Sequence, residues 1–274
     1  MAGVSVIIPF HDEPAMTVAC LRSIAGLGLA EILLVDNRSS RDAAGQVEAA
    51  AEPMPNARVV SFDEPFNFQR LNNWAAAQTK GDVLWLLNND VVVPGASAGL
   101  VDRMVARARE ADIGAVGCVL VYGDEATVQH AGVYLVPGGT ATHLYAGRSL
   151  SSVRSDGGGT PPYPISDDRE MTAVTAASLM VARAKWDAIG GLNEAFTIGG
   201  GDVDLCLRLA ARGWASILVG ARHGVMIHHE ARSRTGMPIP YSDYAESYES
   251  YITAFDIDKG DPFIDVTRLG ASDA

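Results

Sequence analysis

A chain of 274 residues, 48% hydrophobic and 20% charged, is long enough for one large packed domain or two fused halves. Its net charge of -12 sets the surface against phosphate backbones and anionic membrane faces, which disfavours nucleic acid as a partner. Any diphosphate ligand would need local neutralisation by a metal ion or a few placed arginines.

Short β-branched runs alternate with helical stretches through the first half. Residues 4–8 predict a strand ended by Pro9, and residues 16–25 an apolar-faced helix. Residues 31–35 (EILLV) predict a second strand, and residues 40–52 a helix with Ser40 or Asp42 near its cap. A strand over 58–62, a helix over 71–78 and the wholly apolar strand 83–87 (VLWLL) follow, then a helix over 97–111 and a strand over 115–121. Continuous apolar strands alternating with helices imply a mostly parallel central sheet with helices on both faces, an α/β fold.

After residue 122 the pattern changes, and Ser, Gly and Pro between 151 and 168 predict long loops. A strand over 171–182, helices over 184–189 and 202–212, and strands over 215–219 and 224–227 predict a second half. Aromatics at 241, 244, 248, 251 and 255 fall on one helical face and read as a packing surface. This divides the chain into 1–121, 122–235 and a helical extension over 236–274. Cys20, Cys118 and Cys206 lack metal-ligand spacing and predict buried, reduced thiols. No apolar run reaches the roughly 18–20 residues that span a bilayer. The opening MAGVSVIIPF reads as a strand rather than a leader, so the expectation is a cytoplasmic protein without a transmembrane segment.

Ligands of open parallel sheets bind beyond the carboxyl ends of the strands. Three polar clusters fall there: Pro9-Phe10-His11-Asp12-Glu13, Asp36-Asn37-Arg38-Ser39-Ser40 and Asn88-Asn89-Asp90. Each alone is explained by turn chemistry; three along one edge point to a nucleotide site. Asp90 suits a hard divalent cation, with the amides of Asn88 and Asn89 free for sugar or ribose hydroxyls. Gly199-Gly200-Gly201 opens a helix with Asp202 at or near its N-cap, where the carboxylate serves either as a cap or as a general base. In HHEARSR, one of His228 and His229 is a candidate metal ligand. Arg232 and Arg234 share a side of an extended chain and suit diphosphate oxygens.

Taken together, VSVIIPFHDE, LLVDNRSS, FNFQRLNNWAAAQTKGDVLWLLNNDVVV, GGGDVDLCLRLAARGW and HHEARSR resemble a family 2 glycosyltransferase, in its bacterial rhamnosyl- and galactofuranosyl-type subgroup. The resemblance spans about residues 4–235. It implies the GT-A fold and inverting transfer of a sugar from a UDP- or dTDP-linked donor to a hydroxyl acceptor. It further implies a Mn²⁺ or Mg²⁺ ion at Asp90 and His228, and Asp202 as general base. Donor contacts fall on Pro9, Phe10, His11, Glu13, Asp36, Asn67, Arg70, Asn73, Asn88, Asn89, Arg232 and Arg234. Glu commonly precedes the base in that family; here Gly201 stands there, and the alternative is a degenerate homologue that binds a nucleotide sugar without turnover. The acceptor and a homo-oligomeric state stay open.

Overall fold

The computed structural model describes residues 3–136, 141–155, 161–229 and 260–269. In chain order the elements are β1 (Val4–Phe10), α1 (Pro14–Ile24), β2 (Glu31–Asp36), α2 (Arg41–Ala51), β3 (Ala57–Ser61), α3 (Phe68–Ala76), β4 (Val83–Leu87), β5 (Val91–Val92) and α4 (Ala98–Ala108). There follow β6 (Ile113–Cys118), β7 (Leu120–Val121), β8 (Val128–His130), β9 (Val133–Leu135), β10 (Ala141–His143) and α5 (Leu150–Val153). The last are β11 (Arg169–Met171), β12 (Ser178–Ala182), α6 (Arg183–Ile189), α7 (Gly201–Ala210), β13 (Ala215–Val219) and β14 (Met226–His228). The aromatic stretch 241–255, Arg232 and Arg234 lie outside the described residues.

Eight strands form one sheet in the order β11-β13-β6-β12-β4-β1-β2-β3. Strands from both sides of residue 122 share it. β1 pairs in parallel with β2 and β4, β2 with β3, and β6 with β13. Burial on both faces makes β1, β2, β4 and β6 predominantly apolar, whereas the edge strand β3 (ARVVS) is half-buried or exposed. On one face α1, α2 and α4 pack Leu21, Val47 and Met104 against Val6, Trp85 and Val116. On the other, α3, α6 and α7 pack Leu71, Trp186 and Leu205 against Ile7, Leu84 and Leu179.

Two predicted strands are corrected. Residues 171–182 form not one strand but β11 and β12, which lie at separate places in the sheet with the loop 172–177 between them. β12 runs antiparallel to both β4 and β6, and β11 antiparallel to β13. An apolar run records burial, not direction, so VTAASLMVA could not announce the reversal. Likewise 115–121 breaks at Val119, and β7 leaves the large sheet for a smaller one of order β5-β14-β7-β8. The reversal of β12 matters for the site. It starts β12 at the edge where β1, β2, β4 and β6 end, and so brings the loop 172–177 to that edge.

Close backbone approach fixes the turn after β13. A methyl group on Gly220 would lie 2.6 Å from Asp167 Cα and closer still to the Asp167 carbonyl carbon and the Ser166 oxygen, all backbone. Backbone cannot rotate aside as a side chain can. Gly220→Ala is therefore expected to destabilise the fold by about 3 kcal/mol, at the upper end of overpacking, measured as a lowered denaturant midpoint at unchanged m-value.

Candidate active site

The carboxyl edge is assembled by hydrogen bonds between strand ends. The Asn37 N–H donates to the Phe10 carbonyl at 2.9 Å, and the Ser40 N–H to Asp12 Oδ1 at 2.8 Å. That hydrogen bond from Ser40, backbone and side chain both contributing, holds the Asp12 carboxyl below its ordinary range. Asp12 and Glu13 both sit at positive φ, 50° and 45°, in the left-handed region that non-glycine residues seldom adopt. Asp36, buried at the end of β2, accepts the N–H of Ser39, three residues on, through Oδ1 at 2.9 Å. His11 is exposed, with Nδ1 2.8 Å from the Asn37 carbonyl oxygen. Pro9 is half-buried and Glu13 exposed, where its carbonyl starts α1.

The Phe10 side chain is turned into the core rather than exposed at the end of β1. Only 3% exposed, it is packed in the core beneath α1. The side chains of Asn67 and Asn73 are taken up within the chain. Asn67 caps α3 through Oδ1, which accepts the Arg70 N–H, while its Nδ2 donates to the Glu194 carbonyl. Asn73 clasps the same loop, donating to the Leu192 carbonyl and Glu194 Oε1 and accepting the Leu192 N–H. Half-exposed Arg70 ion-pairs with Glu194 at 3.4 Å and Glu64 at 3.7 Å. These three residues thus tie α3 to the loop before α7, an alternative to donor contact that their spacing did not announce.

Beyond β4, the Asn88 N–H donates to the Ala177 carbonyl at 2.9 Å. Asn89 Nδ2 donates to the buried Thr17 hydroxyl of α1 at 3.0 Å. Asp90 is 8% exposed. Its Oδ1 lies 3.1 Å from Nε2 of His228, which is 3% exposed. β14 delivers that imidazole by pairing His228 with Val91, next in chain to Asp90. The following His229 is exposed; its backbone N–H donates to the Asp90 carbonyl at 2.9 Å. Strand alternation therefore separates the two histidines, one inward beside the carboxylate and one outward.

The approach of His228 to Asp90 lacks hydrogen-bond geometry despite its short distance. Both ring nitrogens of this buried imidazole make no hydrogen bond. A buried carboxylate and an imidazole side by side form a donor set that suits a divalent ion, whose remaining positions phosphate oxygens and water can fill. Among the described residues no three His, Cys, Asp or Glu side chains converge as a metal cluster.

Asp202 is the second residue of α7, not its cap; the cap is Gly200, at φ 79°. Asp202 Oδ2 accepts the Ala176 N–H at 3.1 Å and Oδ1 the Val203 N–H at 2.9 Å. Ala176 precedes Ala177, whose carbonyl receives the Asn88 N–H. One short loop thus bonds Asp202 on one side and the Asn88–Asp90 turn on the other. Asp204, 4% exposed, turns away to Arg208, at 2.7 Å.

Sequence reasoning missed a second histidine pair. His130, fully buried, lies edge-on to His143 with ring centroids 4.8 Å apart. Burial, then the neighbouring His143 and His228, push its titration well below the ordinary histidine range, leaving a neutral ring whose Nε2 accepts the Gly132 N–H. The three cysteines are buried and unpaired; burial raises all three, Cys118 and Cys206 to about 12, so they are inert thiols. No helix among the described residues is long and apolar enough to cross a membrane.

Residues 5–146 match the family described as glycosyl transferase family 2. The chain is 36% identical over 269 residues to the O-antigen biosynthesis protein RfbC of Myxococcus xanthus, covering 95% of this chain and 20% of that protein. It is also 36% identical over 242 residues to the uncharacterized protein y4gI of Sinorhizobium fredii, covering 84% and 25%. The chain therefore spans a fifth to a quarter of the length of these curated relatives. Among solved structures it is similar to GalNAc-T7 with UDP, GalNAc and Mn²⁺, at TM-score 0.66 and 13% identity over 93% of this chain and 48% of that one. It is similar also to the mannosyltransferase PcManGT of Pyrobaculum calidifontis with GDP-Man and Mn²⁺, at TM-score 0.59 and 16% identity over 91% and 69%. A third is glucosyl-3-phosphoglycerate synthase of Mycobacterium tuberculosis with Mn²⁺, UDP and phosphoglyceric acid, at 0.55 and 18% over 92% and 78%. With the fold shared and the family matched over more than half its length, the chain belongs to glycosyl transferase family 2 and has the GT-A fold.

Proposed function

We propose that this chain is a metal-dependent inverting glycosyltransferase, which moves a sugar from a UDP- or dTDP-linked donor to a hydroxyl of a carbohydrate acceptor. The observation that carries the reading is the loop 172–177, which links the Asp202 carboxylate to the Asn88–Asp90 turn beside His228. Asp90 and His228 would hold a Mn²⁺ or Mg²⁺ ion, which when bound offsets charge on the departing diphosphate. Asp202 would take the proton of the acceptor hydroxyl as its oxygen attacks the anomeric carbon opposite the diphosphate. Asp36 and His11, at the ends of β2 and β1, would meet the nucleoside, and Arg232 and Arg234 the diphosphate.

UDP in two of the cited neighbours supports a uridine donor. A glycan or lipid-linked acceptor agrees with the O-antigen name of the Myxococcus xanthus relative. Reduced, buried thiols agree with work in the cytoplasm.

Thermal unfolding with UDP, dTDP or GDP, each with Mn²⁺ or Mg²⁺, tests the donor side. Ligand at 100 times its dissociation constant stabilises by about 2.7 kcal/mol, so the matching nucleotide should raise Tm by roughly 5–10 °C. Absence of a shift with all three nucleotides and both metals refutes the reading.

A further inference from the structure

Gln69, on the first turn of α3, is 1% exposed. Its Nε2 donates to the Ile198 carbonyl across a long 3.4 Å, and its Oε1 is buried with no hydrogen bond. Opposite it, Gly201 opens α7 with a backbone outside the left-handed region, so nothing in its own conformation demands glycine. What excludes a side chain is Gln69. A methyl group on Gly201 would collide with all three atoms of the Gln69 carboxamide, Nε2 at 2.6 Å being the farthest. The amide thus fills, from another helix, the volume that the residue before Asp202 would otherwise occupy.

The chemistry of that flank follows. An unmet amide oxygen can only accept, so its complement is an O–H or N–H group. The cap Gly200 contributes no side chain, and Asp204 is engaged by Arg208. Beside Asp202 there is therefore a neutral acceptor, suited to a polyol and not to a cationic group.

We propose that Gln69 is a specificity-determining residue for the acceptor: its Oε1 accepts a hydrogen bond from a second hydroxyl of a neutral carbohydrate whose first hydroxyl faces Asp202. This rests on the transferase reading above. The long bond to Ile198 is the contact the amide gives up as it turns to the sugar. The competing occupant is an internal water shared with Asn72, three residues on, whose Oδ1 is also buried and unbonded.

The test compares wild type with Gln69→Met, which keeps side-chain volume and removes the oxygen. Dissociation constants are measured by NMR for methyl galactoside, glucoside, mannoside and rhamnoside and their single-deoxy forms, with UDP and Mn²⁺ saturating. In wild type, removing one particular hydroxyl of a bound glycoside should weaken binding about tenfold; in Gln69→Met that deoxy form and its parent should bind alike. The UDP–Mn²⁺ thermal shift should be the same in both proteins. An equal deoxy penalty in the two proteins, or a wild type that binds Mn²⁺–UDP but none of the glycosides, overturns the proposal and leaves Gln69 on a water only. Loss of the UDP–Mn²⁺ shift from wild type overturns instead the reading beneath it. Should Gln69→Met not fold, Gln69→Gly with Gly201→Gln returns the amide from the other helix and should restore the deoxy penalty; a double variant without it also overturns the proposal.

Discussion

Asp202→Asn is expected to lower sugar transfer by about 10²–10⁴-fold, the range a positioned general base supplies, or roughly 3–5 kcal/mol of barrier. The substitution is conservative for the fold. An asparagine carbonyl can still accept the Ala176 N–H that holds position 202 to the loop before β12, and the other oxygen bonds only the adjacent Val203 N–H. Stability should change by about 1 kcal/mol, the scale of one hydrogen bond. Because the lost interaction forms as the proton leaves the acceptor, kcat and kcat/KM should fall together while nucleotide binding is kept. Steady-state transfer assays with the donor identified by thermal shift make the measurement. Unchanged transfer in Asp202→Asn removes the base assignment. A wild type that binds donor yet turns over no acceptor replaces the enzyme with a binding module, the reading that Gly201 raises.

What the sequence made legible was whatever repeats locally. VIIPF, ILLV and VLWLL are apolar because both sheet faces are covered, and each was followed by a polar turn at the same edge. What it hid depends on partners distant in the chain. Phe10 stands among polar neighbours in a loop-like run, yet its strand position turns it into the core. The resemblance put Asn67 and Asn73 among the donor contacts, but a loop more than a hundred residues on takes up hydrogen bonds of both. The bond from Ala176 to Asp202 required β12 to reverse, which an apolar pattern does not encode. Gly201 read as a lost carboxylate; in three dimensions its space belongs to Gln69. Strand alternation at His228 and His229 was the exception, a local rule that told which imidazole points inward once the strand was known.

Asp90→Ala is expected to abolish the cation-dependent part of nucleotide binding. In wild type, UDP with Mn²⁺ should stabilise more than UDP alone, and in the variant the two shifts should coincide, a loss of about 2–3 kcal/mol at ligand concentrations near 100 dissociation constants. Removing the carboxylate would leave His228 as the remaining proposed ligand, and an imidazole bound through a lone pair brings no negative charge to offset a divalent ion. Fold effects must be separated, since Asp90 is buried and its carbonyl receives the His229 N–H. That backbone bond survives the substitution, and β14 still pairs with β5, so the ligand-free variant should unfold within a few degrees of wild type. His228→Ala gives the reciprocal check, because two residues acting through one ion lose little more together than apart. A Mn²⁺–UDP shift that persists in full in Asp90→Ala, or losses that simply add in the double variant, would show that the carboxylate and imidazole do not share an ion and that the diphosphate is neutralised elsewhere.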